Sequence, residues 1–375
     1  LWVGSDDGLV HVTRNGGESW ENVTPKGMPE WMMINSIEPS AFDAGTCYVA
    51  GTKYKTGDFT PYLYKTTNYG KSWTKITNGI NPEHFTRVLR EDPKHKGLLY
   101  AGTETGMYIS FNDGKNWKPF QLNLPIVSIT DLTIKDNSLI VATQGRSLWM
   151  IDDLTVIHQL FNADQNADIL FKPKDTYRMR GGSRKGSKTT GTNLPSGVIT
   201  YFNLNKYNEE DEVSLTYFDT KGDTIKTFST KNKKKDKLEV KEGANQFVWN
   251  MTYDGAERLK GMILWWASLT GPRAIPGQYK ASLNVNGESI SQPFAILADP
   301  RAESTLTDMT NQFAFIKDVN ETMDNAHKSI KKIRKINEKL SAFAAQYKDD
   351  DAIKDLVEKA KNLKEKFSEI EKALY

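Results

Sequence analysis

The chain has a single cysteine, Cys47, in 375 residues, which excludes an intrachain disulfide framework and a cysteine-built zinc site. Its neighbours, Cys-Tyr-Val-Ala, read as a strand, so the thiol is expected to be a small buried hydrophobe rather than a nucleophile. No apolar run approaches the ~20 residues that a membrane-spanning helix requires. The five histidines, His11, His84, His95, His158 and His327, stand far apart, without metal-ligand spacing. There is no Gly-x-Ser-x-Gly elbow, phosphate loop or dinucleotide fingerprint, and no cofactor is implied. Net charge is +3 and the lysines are spread along the chain, so nothing in the overall balance calls for nucleic acid or an anionic membrane.

What the chain has is apolar mass and a repeat. Hydrophobic residues make up 38% of it, with 9 Trp, enough for more than one core. The length is more than twice the ~150 residues typical of one domain, so two or three domains are expected. Three eight-residue boxes align: residues 13–20, Thr-Arg-Asn-Gly-Gly-Glu-Ser-Trp; 66–73, Thr-Thr-Asn-Tyr-Gly-Lys-Ser-Trp; and 110–117, Ser-Phe-Asn-Asp-Gly-Lys-Asn-Trp. The common positions are Thr13, Asn15, Gly17 and Trp20; Thr66, Asn68, Gly70 and Trp73; and Ser110, Asn112, Gly114 and Trp117. The hydroxyl and the Asn side chain suit hydrogen bonds to the turn's own backbone. The glycine permits a positive φ, and the tryptophan is expected to drop onto the sheet and bury a large area.

Strands repeat around each box. Residues 98–103, 107–110 and 117–120 have counterparts at 47–52, 62–65 and 73–76, and again at 1–4, 9–12 and 20–23. A fourth copy without a box follows at 127–134, 138–143 and 147–151. Four-stranded units of this kind are β-propeller blades. The first copy begins at the second strand of a blade, so about three and a half blades are expected over residues 1–160. The same reading expects earlier blades of the same protein, and any export signal, to lie outside the chain.

Residues 161–196 read as a linker or loop, with a Gly/Ser/basic stretch at 178–188. Residues 197–300 read as short alternating strands with turns at Lys221-Gly222 and Asn286-Gly287, the pattern of an immunoglobulin- or fibronectin-like sandwich. The basic run at 231–237 is expected to be a solvated hairpin loop. Residues 301–375 switch to helical spacing, with apolar stripes before and after a polar break at 348–351. They predict an antiparallel helical hairpin.

Chemistry is sparse. Asp6, Asp7, Asp58, Glu104, Asp131, Asp152 and Asp153 lie near strand ends or turns, but no acid/base pair stands out from the spacing, and catalytic residues remain unassigned. Arg146, on a tight turn, together with Glu104 and Asp152, forms the candidate ligand-binding set.

Two segments carry a resemblance. Residues 98–117, with the third box, and 142–154, Ala-Thr-Gln-Gly-Arg-Ser-Leu-Trp-Met-Ile-Asp-Asp-Leu, are similar to sortilin/Vps10-type and bacterial Asp-box repeat propellers, many of them exported proteins described as glycosyl hydrolases. Residues 246–250, 271–279 and 299–301 resemble the sandwich and helical end that follow the propeller in that bacterial group. The resemblance implies an exported protein, periplasmic, on the outer membrane or secreted. An interaction fold without a convincing catalytic constellation favours a non-catalytic binding or scaffold module, in which the propeller binds protein, peptide or glycan and the tail docks in a larger envelope assembly. A glycoside hydrolase of sialidase or xyloglucanase type is the first alternative, and a sortilin-like receptor the second. The sialidase arginine triad does not map onto this sequence, and no nucleic-acid partner is implied.

Overall fold

The alternating runs around each box fold into antiparallel meanders. The computed structural model describes residues 1–164, 166–179, 194–232 and 236–374, and the chain divides into two units, Leu1–Asp164 and Gln165–Tyr375. The first unit contains four sheets in sequence order. They are β1 (Trp2–Gly4), β2 (Val10–Val12) and β3 (Glu21–Asn22); then β4 (Met33–Pro39), β5 (Cys47–Lys53), β6 (Asp58–Thr66) and β7 (Thr74–Lys75); then β8 (Thr86–Glu91), β9 (Leu99–Thr103), β10 (Gly106–Ser110) and β11 (Lys118–Pro119); and last β12 (Ile129–Lys135), β13 (Ser138–Thr143) and β14 (Leu148–Ile151). A short helix, α1 (Thr155–Phe161), closes the unit.

Three core clusters are each shared by two successive sheets. Val10, Val12 and Val23 of the first sheet meet Val49 of the second. Tyr48, Leu63 and Ile76 meet Leu89, Leu99 and Trp117 of the third. Val88, Tyr100 and Ile109 meet Ile129, Leu132 and Val141 of the fourth. Sheets stacked in this way are consecutive propeller blades, three strands at each end of the run and four in the middle. Cys47 is fully buried, and burial, with Glu38 nearby, pushes its thiol up to about 12, which keeps it neutral and unreactive.

The boxes staple the sheets together. In the second, the Thr66 hydroxyl accepts from the Gly70 amide at 3.0 Å and Asn68 Oδ1 accepts from the Ser72 amide at 2.9 Å; the first and third repeat both bonds. Two successive residues take positive φ, not the glycine alone: Gly16 and Gly17, Tyr69 and Gly70, Asp113 and Gly114. The tryptophans reach further than their own sheet. Trp73 Nε1 donates to the Val23 carbonyl at 2.6 Å and Trp117 Nε1 to the Ile76 carbonyl at 2.7 Å, each across to the preceding sheet. Trp117 is only 3% exposed, whereas Trp20 is 43% exposed, so the expected burial fails at the first box.

In the second unit two sheets enclose one core. One contains β15 (Ile169–Leu170), β17 (Val198–Leu204) and β20 (Gly243–Trp249); the other contains β16 (Thr176–Tyr177), β22 (Glu288–Leu297), β21 (Gly277–Val285), β18 (Val213–Phe218) and β19 (Thr224–Ser229). Phe202, Trp249, Tyr217, Leu283 and Phe294 fill the space between them, with Tyr217 stacked on Trp249 at 4.6 Å. β15 and β16 fall inside the stretch expected to be a linker; two-residue strands are too short to show a period. Residues 180–188 of the basic Gly/Ser stretch and 233–235 of the lysine run lie outside the described residues.

The helical hairpin is α2 (Leu306–Gln346) and α3 (Lys354–Leu374). Thr305 and Asp308 form a capping box at its start. Ile330, Ile333, Val357 and Ala360 are buried, and Arg334 pairs with Glu371 at 2.7 Å across the two helices.

Candidate functional site

In an antiparallel meander the turn between strands two and three lies at the opposite end from the box turn. At that end the third and fourth sheets leave a shallow open cleft of ≈ 480 Å³, lined by Glu104, Ile126, Val127, Ser128, Gln144, Gly145 and Arg146. Three local features build it. The turn from β9 to β10 is Glu104-Thr105, held by the Glu104 amide on the Phe85 carbonyl at 3.1 Å. The link into β12 contributes Ile126, 84% exposed, and Ser128, buried. The turn from β13 to β14 uses positive φ at Gly145 and Ser147, and the Gln144 amide ties it to the Ser128 carbonyl at 3.0 Å.

Charges in the cleft are unevenly committed. Glu104 Oε2 lies 2.6 Å from Arg87 Nε and accepts the Ser128 hydroxyl at 2.9 Å. Arg87 is held in turn over the rings of Tyr54 and Phe85, 5.4 and 5.2 Å from their centroids. Tyr54 stacks on Phe85 at 5.0 Å, and Phe59, 51% exposed, leans on Phe85 from outside. Arg146 is anchored through its backbone, whose carbonyl accepts from Trp149 Nε1 at 2.9 Å. Its guanidinium is exposed and engages no described residue. The cleft therefore offers one uncommitted cation beside a neutralised Arg–Glu pair, with apolar surface at the rim. That chemistry suits recognition of an anionic or hydroxyl-rich group.

Of the sequence candidates, the fold brings Glu104 and Arg146 into one cleft and separates Asp152 from them. Asp152 follows β14 at the far end of that strand, exposed, with its backbone carbonyl accepting from Ser138. Asp153 accepts from Asn137 Nδ2 and the Thr155 amide, fixing the start of α1. Asp131 pairs with Arg90 at 2.7 Å. Asp58 is partly desolvated, but the Thr60 amide and Tyr62 hydroxyl outweigh that and hold its carboxyl below the usual range. Asp7 accepts the Ser5 hydroxyl, and Asp6 shares the same exposed turn. Among the described residues no cluster of three or more metal-binding side chains occurs.

The sequence reading missed one gathering of titratable groups. His158, on α1, lies with Nε2 2.7 Å from Oδ2 of the fully buried Asp92, and its ring is 4.2 Å from that of His95. Two histidines so distant along the chain meet only because α1 folds back on the third sheet, which no local spacing encodes.

No protein-family model matches the chain. A stretch of 109 residues, 28% of the chain, is 26% identical to an oligoxyloglucan-reducing end-specific xyloglucanase of Emericella nidulans and spans 13% of that protein. Among solved structures, the GH74 xyloglucanase from Xanthomonas campestris is 16% identical, with a TM-score of 0.34 over 54% of this chain and 31% of that one. YCF48 from Cyanidioschyzon merolae is 19% identical, with a TM-score of 0.31 over 40% and 48% of the two chains. The chain is thus similar, over part of its length, to xyloglucanase and YCF48 propeller proteins.

Proposed function

We propose that the chain is a non-catalytic binding module of an exported protein, with the cleft between the third and fourth sheets as its ligand site. The observation that carries this reading is the charge inventory of the cleft. Glycoside hydrolysis by the usual route needs two carboxylates about 5–9.5 Å apart. Glu104 is the one carboxylate among the residues lining the cleft, and Arg87 and Ser128 already engage it. Arg146 supplies an uncommitted donor. A peptide or glycan carrying a carboxylate fits this set, and the sandwich and helical hairpin are read as the parts that dock in an envelope assembly.

The same reading includes further blades of the Asp-box, sortilin-like type packed on the first sheet. Its support is the first box. Gly70 and Gly114 lie so close to Val23 and Ile76 that a Cβ would come within 2.5 and 2.7 Å of them, whereas Gly17 has only Trp20 at 4.0 Å. Among the described residues no carbonyl accepts from Trp20 as those of Val23 and Ile76 do from Trp73 and Trp117.

The rival reading, a glycoside hydrolase, is favoured by the segment similar to xyloglucanase. One experiment separates the two. The chain is titrated with xyloglucan oligosaccharides, acidic oligosaccharides and carboxylate-bearing peptides, with reducing-end release followed in parallel. Binding weakened at least tenfold by Arg146→Ala, without product, supports the binding module. Product formation abolished by Glu104→Gln overturns it.

A further inference from the structure

The second unit carries an apolar projection that the cleft does not explain. Residues 256–270 form a loop on which Ile263, Trp265 and Trp266 are 76%, 87% and 98% exposed. A tryptophan buries ~150–250 Å² when covered, so this tip leaves several hundred Å² of apolar surface in water, as much as the largest patch on a typical monomer.

The loop is built on a fixed base. Asn320 of α2, itself buried, accepts the Ala256 amide at 3.0 Å and donates to the Ile316 and Thr270 carbonyls at 2.9 and 3.5 Å. The Tyr253 amide donates to Pro272 at 2.9 Å, and the Ala274 amide to Met251 at 2.7 Å. The two arms run so close that a Cβ on Gly255 would sit 1.7 Å from the Leu269 carbonyl oxygen, and one on Gly271 2.3 Å from that of Tyr253. Leu259, 2% exposed, pins the first arm. The fold therefore holds the tip out and does not merely leave it uncovered.

The charges on the tip itself, residues 258–270, have one sign. Between Arg258 and Gly287 the sequence has no Asp or Glu, while Arg258 and Lys260 are exposed. The acidic groups at the base are occupied: Glu257 pairs with Lys331 at 2.5 Å, and Asp324 accepts the Glu257 amide at 2.6 Å. Exposed Gly261, Ala267 and Ser268 flank the tryptophans, so the ring of surrounding contacts that shields a protein hot spot from water is missing. Adjacent exposed indoles with basic flanks match the interfacial layer of a bilayer, where the ring body is apolar, the N–H is wet and the surface is anionic.

We propose that this loop seats Trp265 and Trp266 in the interfacial layer of an anionic lipid bilayer, attaching the protein peripherally. The test is sedimentation of the whole chain with vesicles of phosphatidylcholine alone or of phosphatidylcholine and phosphatidylglycerol in equal amounts. Co-sedimentation with the anionic vesicles is expected, lost at least tenfold in the Trp265→Ala/Trp266→Ala variant and weakened by Lys260→Glu. Since these side chains are exposed, the variants should keep the wild-type circular dichroism and melting temperature. An intact spectrum with no vesicle binding by the wild type overturns the proposal. So does binding that the double tryptophan variant retains, or capture of a soluble protein through the tip without any affinity for vesicles.

Discussion

Trp117 donates its indole N–H to the Ile76 carbonyl 2.7 Å away in the preceding sheet, so a residue that begins one blade's outer strand is fastened to the end of another's. Trp117→Ala removes that bond and the packing around it. It is expected to destabilise the first unit by about 3–5 kcal/mol, read as a fall in the urea midpoint. Trp20→Ala, at a box whose indole N–H engages no acceptor among the described residues, should cost under about 1 kcal/mol. Equal losses at the two sites would contradict the inter-sheet role.

The box glycines make a second contrast. Gly114 has φ +80 and no room for a Cβ beside Ile76, while Gly17 has φ +105 but open space. Gly114→Ala adds overpacking to the backbone strain that both positions share, so it should cost about 1–3 kcal/mol more than Gly17→Ala. Thermal melting of the two variants side by side checks this.

Arg87 and Arg146 should behave differently although both are cations at the cleft. Arg87 is wedged over two rings and paired with a carboxylate that is 37% exposed, so Arg87→Ala should cost about 1 kcal/mol after allowance for solvent screening. Arg146→Ala should leave the melting temperature unchanged and lower ligand affinity.

How far the sequence discloses the molecule depends on the range of the interaction. The boxes and the strands around them are local patterns, so the four meanders, the sandwich strands and the helical hairpin are readable from spacing alone. Glu104 and Arg146 were legible as turn residues, but their meeting in one cleft depends on how two sheets stack. Asp152, grouped with them by sequence, is separated because β14 carries it to the other end. The His95–His158 contact and the Trp265–Trp266 tip have no periodic signal: the first is tertiary, and the second depends on where Asn320 clamps a loop.

His95 provides a pH test. Burial, and then the adjacent His158, hold its imidazole below the ordinary value of about 6.5, against the pull of Asp92, with Lys94 adding slightly. The unfolded chain therefore takes up this proton first as pH falls. The stabilisation is complete above about 6.5 and declines as pH drops through the window down to the folded value. Urea midpoints at about pH 7.5 and about pH 5 should differ less in His95→Gln than in the wild type; an unchanged difference would count against the assignment.

The base of the tryptophan loop is testable apart from any ligand. Asn320→Ala leaves the Ala256 amide without its acceptor in a buried setting. The expected cost is about 1–3 kcal/mol, with faster hydrogen exchange at Ala256.

The box turns are of nearly constant length, and the two tryptophan staples between sheets, Trp73 to Val23 and Trp117 to Ile76, are anchored in them. The turns on the opposite end are not: Glu104-Thr105 is two residues long, whereas the turn from β13 to β14 runs from Gln144 to Ser147. Mutational risk is therefore unevenly distributed between the two ends. Rewriting a turn beside the cleft leaves the tryptophan staples untouched and, at Glu104, gives up only the Ser128 and Arg87 contacts, so the recognition face has more room to diverge in specificity than the box end.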